Sequence, residues 1–114
     1  MTVSVRQQRM GDVSPARRKL VKLLQYINHG RLCGLAVKGG EPVFDPPPQV
    51  IRTVKFPGVN SPRPEVELHE FTLKTHFQQL FDYLDSLGNG LIEILEVRDG
   101  LPVAGAIQEN PHLN

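Results

Sequence analysis

The sequence has few of the residues on which several classes of protein depend. It contains one cysteine, Cys33, no tryptophan, and no apolar run near the roughly 20 residues that span a bilayer. A single cysteine excludes an internal disulfide framework and a multi-cysteine metal site. The opening residues, MTVSVRQQRM, lack the apolar stretch of a signal peptide. These absences predict a cytoplasmic chain of one domain, without a membrane segment.

Motifs for phosphate binding and for catalysis are also missing. There is no GxxxxGK motif and no GxGxxG motif after a predicted strand. His69 and His76 do not have the short spacing of zinc ligands, and Cys33 fits a small buried side chain. We therefore expect no catalytic residue, no metal and no cofactor. An enzyme or metal protein built on these three residues is the least favoured alternative.

What the chain does contain is an internal repeat. Residues 20–43 align without a gap with residues 80–103, and eight of the 24 paired positions are identical. Ordinary composition would give about one or two identities in such a window. The shared positions are mostly structural in type, such as Gly30/Gly90, Gly40/Gly100 and Pro42/Pro102. A repeat of this length predicts one small unit used twice.

Each copy begins with a helical pattern. Ser14 is a good N-cap and Pro15 a good first helical residue, and the apolar spacing after them predicts a helix over 15–28. In the second copy, Thr75 and Gln78 form a candidate capping box. The apolar stripes consist of Leu20, Val21, Leu24 and Ile27 in the first copy and Phe77, Leu80, Phe81, Leu84 and Leu87 in the second.

A β-hairpin follows each helix. Gly39-Gly40 and Asp99-Gly100 are typical two-residue turns, because both positions of such a turn need positive φ. In the first hairpin, this turn places Leu35 opposite Phe44 and Val37 opposite Pro42. Further strands are predicted within 49–56 and 65–71. The strand at 49–56 is expected to have no counterpart in the second copy and so to leave a sheet edge that a second subunit could cover.

The repeat predicts an α+β fold. Two helix-plus-hairpin units are expected to form one antiparallel sheet with both helices on one face and a pseudo-twofold axis. A helix and a single hairpin cannot bury their own apolar face, whereas two copies can. The predicted parts are a flexible arm (1–13), a single domain (14–110) made of repeat one (15–56), a proline-rich connector (57–64) and repeat two (65–107), and a frayed tail (108–114).

The first copy also resembles a known family. The stretch LLQYINHGRLCGLAVKGGEPVF followed by VIRTVKF, about residues 23–56, resembles the YezD-like family of short bacterial proteins. The second copy, LFDYLDSLGNGLIEILEVRDGLPV, matches less of the pattern. The resemblance implies the helix-hairpin unit and implies no activity. The chain departs from the family in its length, its proline insertion and its duplication.

Charge is divided unequally along the chain. Residues 1–57 hold ten Lys or Arg against three acids, whereas residues 58–114 hold three against nine. Cations in the first turns of a helix oppose its dipole, so helix stability does not explain the basic cluster at the first helix. The candidate anion-binding or partner-binding residues are Arg6 and Arg9 on the arm and Arg17, Arg18, Lys19 and Lys22 on the helix.

These observations favour a non-enzymatic binding or regulatory domain that acts through protein–protein contact. Its partner would be a second copy, in a homodimer, or an acidic protein surface. The alternative is a nucleic-acid-associated regulator that uses the same six cations, although no aromatic residue is interleaved with them in the sequence. The sequence also leaves open that the basic and acidic halves pair with each other, within one chain or between chains.

Overall fold

The structure is a computed structural model that describes residues 13–56 and 75–108. These residues form α1 (Pro15–Ile27), β1 (Gly30–Lys38), β2 (Glu41–Val43), β3 (Gln49–Arg52), α2 (Thr75–Leu87), β4 (Gly90–Arg98) and β5 (Leu101–Gln108). Every strand pairing is antiparallel, which confirms the predicted α+β class. The arm up to residue 12, the connector 57–64, the strand expected at 65–71 and the tail from residue 109 lie outside the described residues.

The two helices begin close to their predicted starts. Ser14 caps α1, where its Oγ accepts a hydrogen bond from the Arg17 backbone N–H at 3.2 Å, and Pro15 is the first helical residue. Thr75, expected to be the cap of α2, is instead its first helical residue. Each helix is 13 residues long. Neither has the length and apolar character needed to cross a membrane.

The sheet is built outward from two long central strands, β1 and β4. The strand order is β2-β1-β4-β5, and β3 also pairs with β1. Because β4 occupies one edge of β1, β2 and β3 share the other, β2 next to the turn and β3 next to the start of β1. Val37 pairs with Pro42, as predicted from the Gly39-Gly40 turn.

The strand predicted within 49–56 is confirmed over part of its length. Its regular part ends at Arg52, and it pairs with the first four residues of β1. In the second half, the end of β5 pairs with Leu91 and Ile92 at the start of β4. The end of β5 therefore lies along β4 as β3 lies along β1. The difference is that residues 44–48 separate β2 from β3 in the first half, whereas β5 is continuous.

Both helices and the central strands contribute to one core. Along β1 and β4, the second buried residue follows the first by three positions, and the third follows the second by two. This pattern departs from strict alternation because each strand contains an irregularity. Gly34 of β1 has a φ of +74°, and the β4–β5 register shifts between Ile92 and Ile94. Burying each large aliphatic or aromatic side chain contributes about 1.5–3 kcal/mol. The main members are Leu20, Val21, Leu24, Ile27, Leu32, Leu35, Val37, Phe77, Leu80, Phe81, Leu84, Ile92, Leu95 and Val97.

The hairpin turn of each half is hydrogen-bonded to the C-terminal end of the helix in the other half. The Gly40 N–H donates to the Gly88 carbonyl at 2.8 Å, and the Gly100 N–H donates to the Asn28 carbonyl at 2.9 Å. All four residues have φ between +59° and +78°, a region that glycine occupies without the steric cost of a Cβ. These two bonds satisfy a carbonyl at each helix end.

Several elements of the two halves have bounds that differ by 60 residues, the shift found in the sequence. α1 and α2 begin and end at positions related by this shift, as do β1 and β4. The β1–β4 pairing is also consistent with this shift. Gly30 of β1 pairs with Val97 of β4, and the residues 60 positions away from these two, Gly90 and Val37, pair with each other as well.

Candidate functional site

The predicted basic cluster divides into residues with different surroundings. Arg6 and Arg9 lie outside the described residues. Arg17, Arg18, Lys19 and Lys22 lie in the first half of α1, as expected from the sequence. Arg17 is directed into the protein, whereas Lys19 and Lys22 are exposed and Arg18 is partly exposed. Among the four cations on α1, the last three therefore present their charge to other molecules.

Arg17 joins three elements of the fold, and only 12% of its side chain is exposed. Its Nη2 donates to the Gly40 carbonyl at 2.8 Å and to the Asp85 carboxylate of α2. Its Nε lies 3.1 Å from Glu41 Oε2 as an ion pair, although this N–H is not directed at the oxygen. The guanidinium also lies 5.2 Å from the centre of the Phe81 ring, within cation–π range. Arg17 thus tethers α1 to the first turn and to α2.

Ser14 extends this network to the start of α1. Its hydroxyl donates to Glu41 Oε1 at 2.6 Å while accepting the Arg17 backbone N–H. Glu41 therefore contacts both the cap and the guanidinium. The arrangement pairs a cation of the basic half with Asp85 of the acidic half inside one chain, which is one of the alternatives that the sequence left open.

The remaining cations of α1 form a group that we call the α1 cations: Arg18, Lys19 and Lys22. None of the ion pairs between described residues involves any of them. Arg18 and Lys22 are four residues apart and so lie on the same side of the helix, one turn from each other. The α1 cations are therefore available to bind an anion or an acidic surface.

The fold places aromatic rings beside these cations, which the sequence order conceals. Tyr26 follows Lys22 by one turn, is 49% exposed, and has the Arg52 guanidinium 4.9 Å from its ring centre. Lys19 Nζ lies 4.8 Å from the centre of the Phe44 ring. The basic surface thus contains two rings contributed by different elements. Their contacts with cations follow from the path of the chain after β1, which local spacing does not encode.

The charge asymmetry of the sequence is also present in the described parts of the two halves. Residues 13–56 contain eight Lys or Arg against two acids, and residues 75–108 contain one against five. At the position equivalent to Lys22, α2 has the exposed Asp82. The outer faces of the two helices therefore differ in sign.

The residues considered for catalysis or metal binding do not converge. Cys33 is a free, half-buried thiol on β1, where it pairs with Gln49 and Ile94. The His29 imidazole lies 3.8 Å from Asp99 in the turn of the second hairpin. In the described segments, no three His, Cys, Asp or Glu residues come together in a metal-binding arrangement. His69 falls outside these segments.

His76 lies instead at a cleft between α2 and β5, which was not anticipated from the sequence. The cleft has a volume of about 240 Å³ and a mainly aliphatic lining. His76, Gln79 and Tyr83 of α2 form one wall, and residues of β5 form the other. We call it the α2–β5 cleft; its remaining lining residues are Leu80, Ile92, Leu95, Pro102, Val103, Ala104, Gly105 and Ile107.

The residue after β2 and the residue at the corresponding point of β5 differ in size. Val43, the last residue of β2, pairs with Ala36, and Ala104 of β5 pairs with Glu96, so the residues that follow them are Phe44 and Gly105. Phe44 is partly buried and packs against the core. Gly105, which has no side chain, lines the cleft. The difference between Phe44 and Gly105 is the signal in the sequence that indicates the cleft. It can be recognised only when the strand register shows that these two residues correspond.

Comparison with protein-family models, curated proteins and solved structures finds no match to this chain.

Proposed function

We propose that this chain is a non-enzymatic, cytoplasmic binding domain that acts through protein–protein contact, with the α1 cations as its contact surface. The observation that carries the proposal is the division among the cations of α1. Arg17 is satisfied by carboxylates within the fold, whereas Arg18, Lys19 and Lys22 have no such ion pair among the described residues. The partner surface that complements this group is acidic.

The position of Arg18 supports a role outside the fold. Arg18 is the fourth residue of α1, near the N-terminus, where an exposed positive charge opposes the helix dipole by about 0.3–1 kcal/mol, whereas Lys19 and Lys22 lie further along, where this effect fades. α1 has no acidic residue in its first turn to offset the charge of Arg18. An acidic partner would stabilise Arg18, Lys19 and Lys22 together in the complex.

The proposal includes an internal duplication with pseudo-twofold symmetry as the origin of the fold. It is supported by the repeated element bounds, by the exchangeable β1–β4 register and by the reciprocal turn-to-helix hydrogen bonds. The resemblance of the first copy to the YezD-like family agrees with this origin. After a duplication, residues specific to the function are expected at positions where the two copies differ. The α1 cations are one such place, because α2 has Gln78, Gln79 and Asp82 at the equivalent positions.

A second candidate function is binding of single-stranded nucleic acid. The observation that favours it is the position of Tyr26, exposed beside Lys22 and Arg52. Single-stranded nucleic acids bind surfaces that combine cations for phosphates with aromatic faces on which bases stack. This candidate differs from the first in requiring the Tyr26 ring as well as the charge.

Anisotropy titrations at low salt distinguish the two functions. Labelled polyglutamate serves as the acidic polypeptide probe, and a labelled thymine oligonucleotide serves as the single strand. We expect the full chain to bind polyglutamate, and the double substitution Arg18→Glu/Lys22→Glu to weaken that binding at least about tenfold. The matched control is Arg31→Glu/Lys38→Glu, which makes the same charge change on exposed positions of β1.

Each outcome decides between the proposals. Equal weakening by the two double variants would show that polyglutamate binding depends only on net charge, which would contradict a specific α1 surface. Tighter binding of the oligonucleotide than of polyglutamate, weakened by Tyr26→Ala, would establish the second function in place of the first. If neither probe binds micromolar protein at low salt, both functions are wrong.

A further inference from the structure

We propose that the α2–β5 cleft binds the Phe56 side chain of a second copy of this chain. The inference begins from Phe44, which directly follows β2, packs against the core and lies beside Lys19 of α1. The second half has Gly105 at the corresponding point of β5, where it lines an aliphatic cleft of about 240 Å³. A space of this size accommodates an aromatic ring, since apolar cavities of about 150 Å³ hold benzene.

The described part of the chain has two exposed aromatic side chains, Tyr26 and Phe56, and Phe56 is the more exposed. Phe56 is 89% exposed, the largest exposure among the exposed large apolar residues, and Val54 two positions earlier is 48% exposed. The preceding segment is anchored, because the Thr53 N–H donates to the His29 carbonyl at 2.8 Å. Beyond that anchor, residues 54–56 project from the end of β3 without belonging to a strand.

Charge supports a second copy as the occupant. Lys55 precedes Phe56, so the segment that carries the ring is basic. The cleft has no Lys or Arg in its lining, and Asp82 is exposed on α2 between Gln79 and Tyr83, which both line the cleft. Docking Phe56 would therefore bring a cation toward the acidic outer face of α2, a complementary arrangement.

The outer edge of β5 can contribute backbone N–H and C=O groups to the same contact. β5 is the last strand of the described sheet, with β4 on one side, so its outer N–H and C=O groups face away from every described strand. A segment outside regular secondary structure, such as residues 54–56, can become extended on an exposed strand edge while its side chains enter pockets alongside.

The two parts of this contact lie at opposite edges of the sheet. The segment continues from β3, on the β2 side of β1, and the cleft lies beside β5. A single contact between two copies thus leaves a vacant cleft on one and an unbound Phe56 on the other. Such a heterologous contact extends to further copies unless it closes into a ring.

Sedimentation equilibrium of the full chain tests this contact, using concentrations from about 10 µM to 1 mM because one side chain and a short edge form a small interface. We expect the average mass to rise with concentration above the single-chain 12.7 kDa. Phe56→Ser removes the ring, and Gly105→Phe fills the cleft. Each should stay at the single-chain mass, whereas Tyr26→Ser, which removes another exposed ring, should associate like the unaltered chain.

Mixing the two variants provides the sharpest readout. The Phe56→Ser chain keeps an intact cleft, and the Gly105→Phe chain keeps an intact Phe56, so an equimolar mixture should form a one-to-one pair and stop there. Circular dichroism verifies that both variants fold, and Gly105→Leu replaces the larger side chain if Gly105→Phe does not. The Gly105 position tolerates a side chain, since an added Cβ would have no contact shorter than 3.6 Å.

A single-chain mass for the unaltered protein at all concentrations would overturn the proposal. Persistent association of Phe56→Ser, or failure of the two variants to pair, would do the same. The result is independent of the α1 surface: Arg18→Glu/Lys22→Glu should lose polyglutamate binding and keep its self-association, and Phe56→Ser should show the reverse.

Discussion

At the residue scale, adjacent side chains of the same type have opposite roles. Arg17 and Arg18 are consecutive, yet one is held by Glu41, Asp85 and Gly40 and the other is partly exposed without an ion pair to a described residue. The difference comes from their positions on α1, since successive helical residues point about 100° apart. The sequence places both in one basic cluster and cannot separate them, because Asp85 is 68 residues from Arg17.

Substituting these two arginines by leucine should therefore have unequal effects. Arg17→Leu leaves the Glu41 and Asp85 carboxylates without their cation and removes the bond to Gly40, so we expect a loss of about 1–3 kcal/mol in the free energy of unfolding. Arg18→Leu is the control and should change it by less than about 0.5 kcal/mol. Urea denaturation followed by circular dichroism measures both. Equal losses would show that the Arg17 contacts contribute nothing specific.

Equivalent glycines of the two copies provide a second test. A Cβ on Gly30 would meet the Ile51 carbonyl oxygen at 2.0 Å, and the backbone there has a φ of +153°. A Cβ on Gly90 would meet only the end of the Leu87 side chain, at 3.0 Å. We expect Gly30→Ala to cost about 3 kcal/mol or more, by clash and backbone strain, and Gly90→Ala about 1 kcal/mol. The order of their urea midpoints checks this, and a reversed order would contradict it.

At the scale of secondary-structure elements, local signals predicted what depends on local interactions. The Ser14-Pro15 start, the apolar stripes and the two-residue turns indicated both helices and both hairpins, and the structure confirms them. The outer strands were predicted less completely. Residues 44–48 separate β2 from β3, and irregular pairing shifts the register of β5. How these strands lie along β1 and β4 does not follow from spacing in the sequence. The α2–β5 cleft was missed for the same reason.

The start of α1 offers a test at this scale. Ser14→Ala removes both the acceptor for the Arg17 N–H and the donor to Glu41, and should lower the free energy of unfolding by about 1–2 kcal/mol. Ser86→Ala, at an exposed position in the last turn of α2, is the control and should change it by less than about 0.5 kcal/mol. Thermal denaturation distinguishes them; similar melting temperatures would argue against a capping role for Ser14.

At the scale of the whole molecule, the two halves form one structure through non-covalent contacts. β1 and β4 are the central pair of the sheet, and both halves supply residues to the same core. Because β1 pairs with β4 and each helix end bonds to the opposite turn, the covalent connection between the halves is not what holds them together. Residues 13–56 and 75–108 should remain associated when the chain between them is cut.

Cleavage of the folded protein checks this expectation. Once a protease site introduced within 57–64 has been cut, we expect the two fragments to elute together on gel filtration and to separate only in urea. An identical site within 1–10 serves as the control for the protease and its buffer. Separation of the fragments in native buffer would show that the shared core is insufficient without the link.

The exchange of hydrogen bonds between turns and helix ends has a consequence for how the protein opens. The carbonyls of Asn28 and Gly88 are satisfied by the turn of the opposite half, so neither helix end is complete until both halves have docked. Partial opening of one half would release a bond in the other. The amide protons of Gly40 and Gly100 should therefore exchange with solvent at matched rates, governed by a single opening of the whole domain rather than by local fraying of either hairpin.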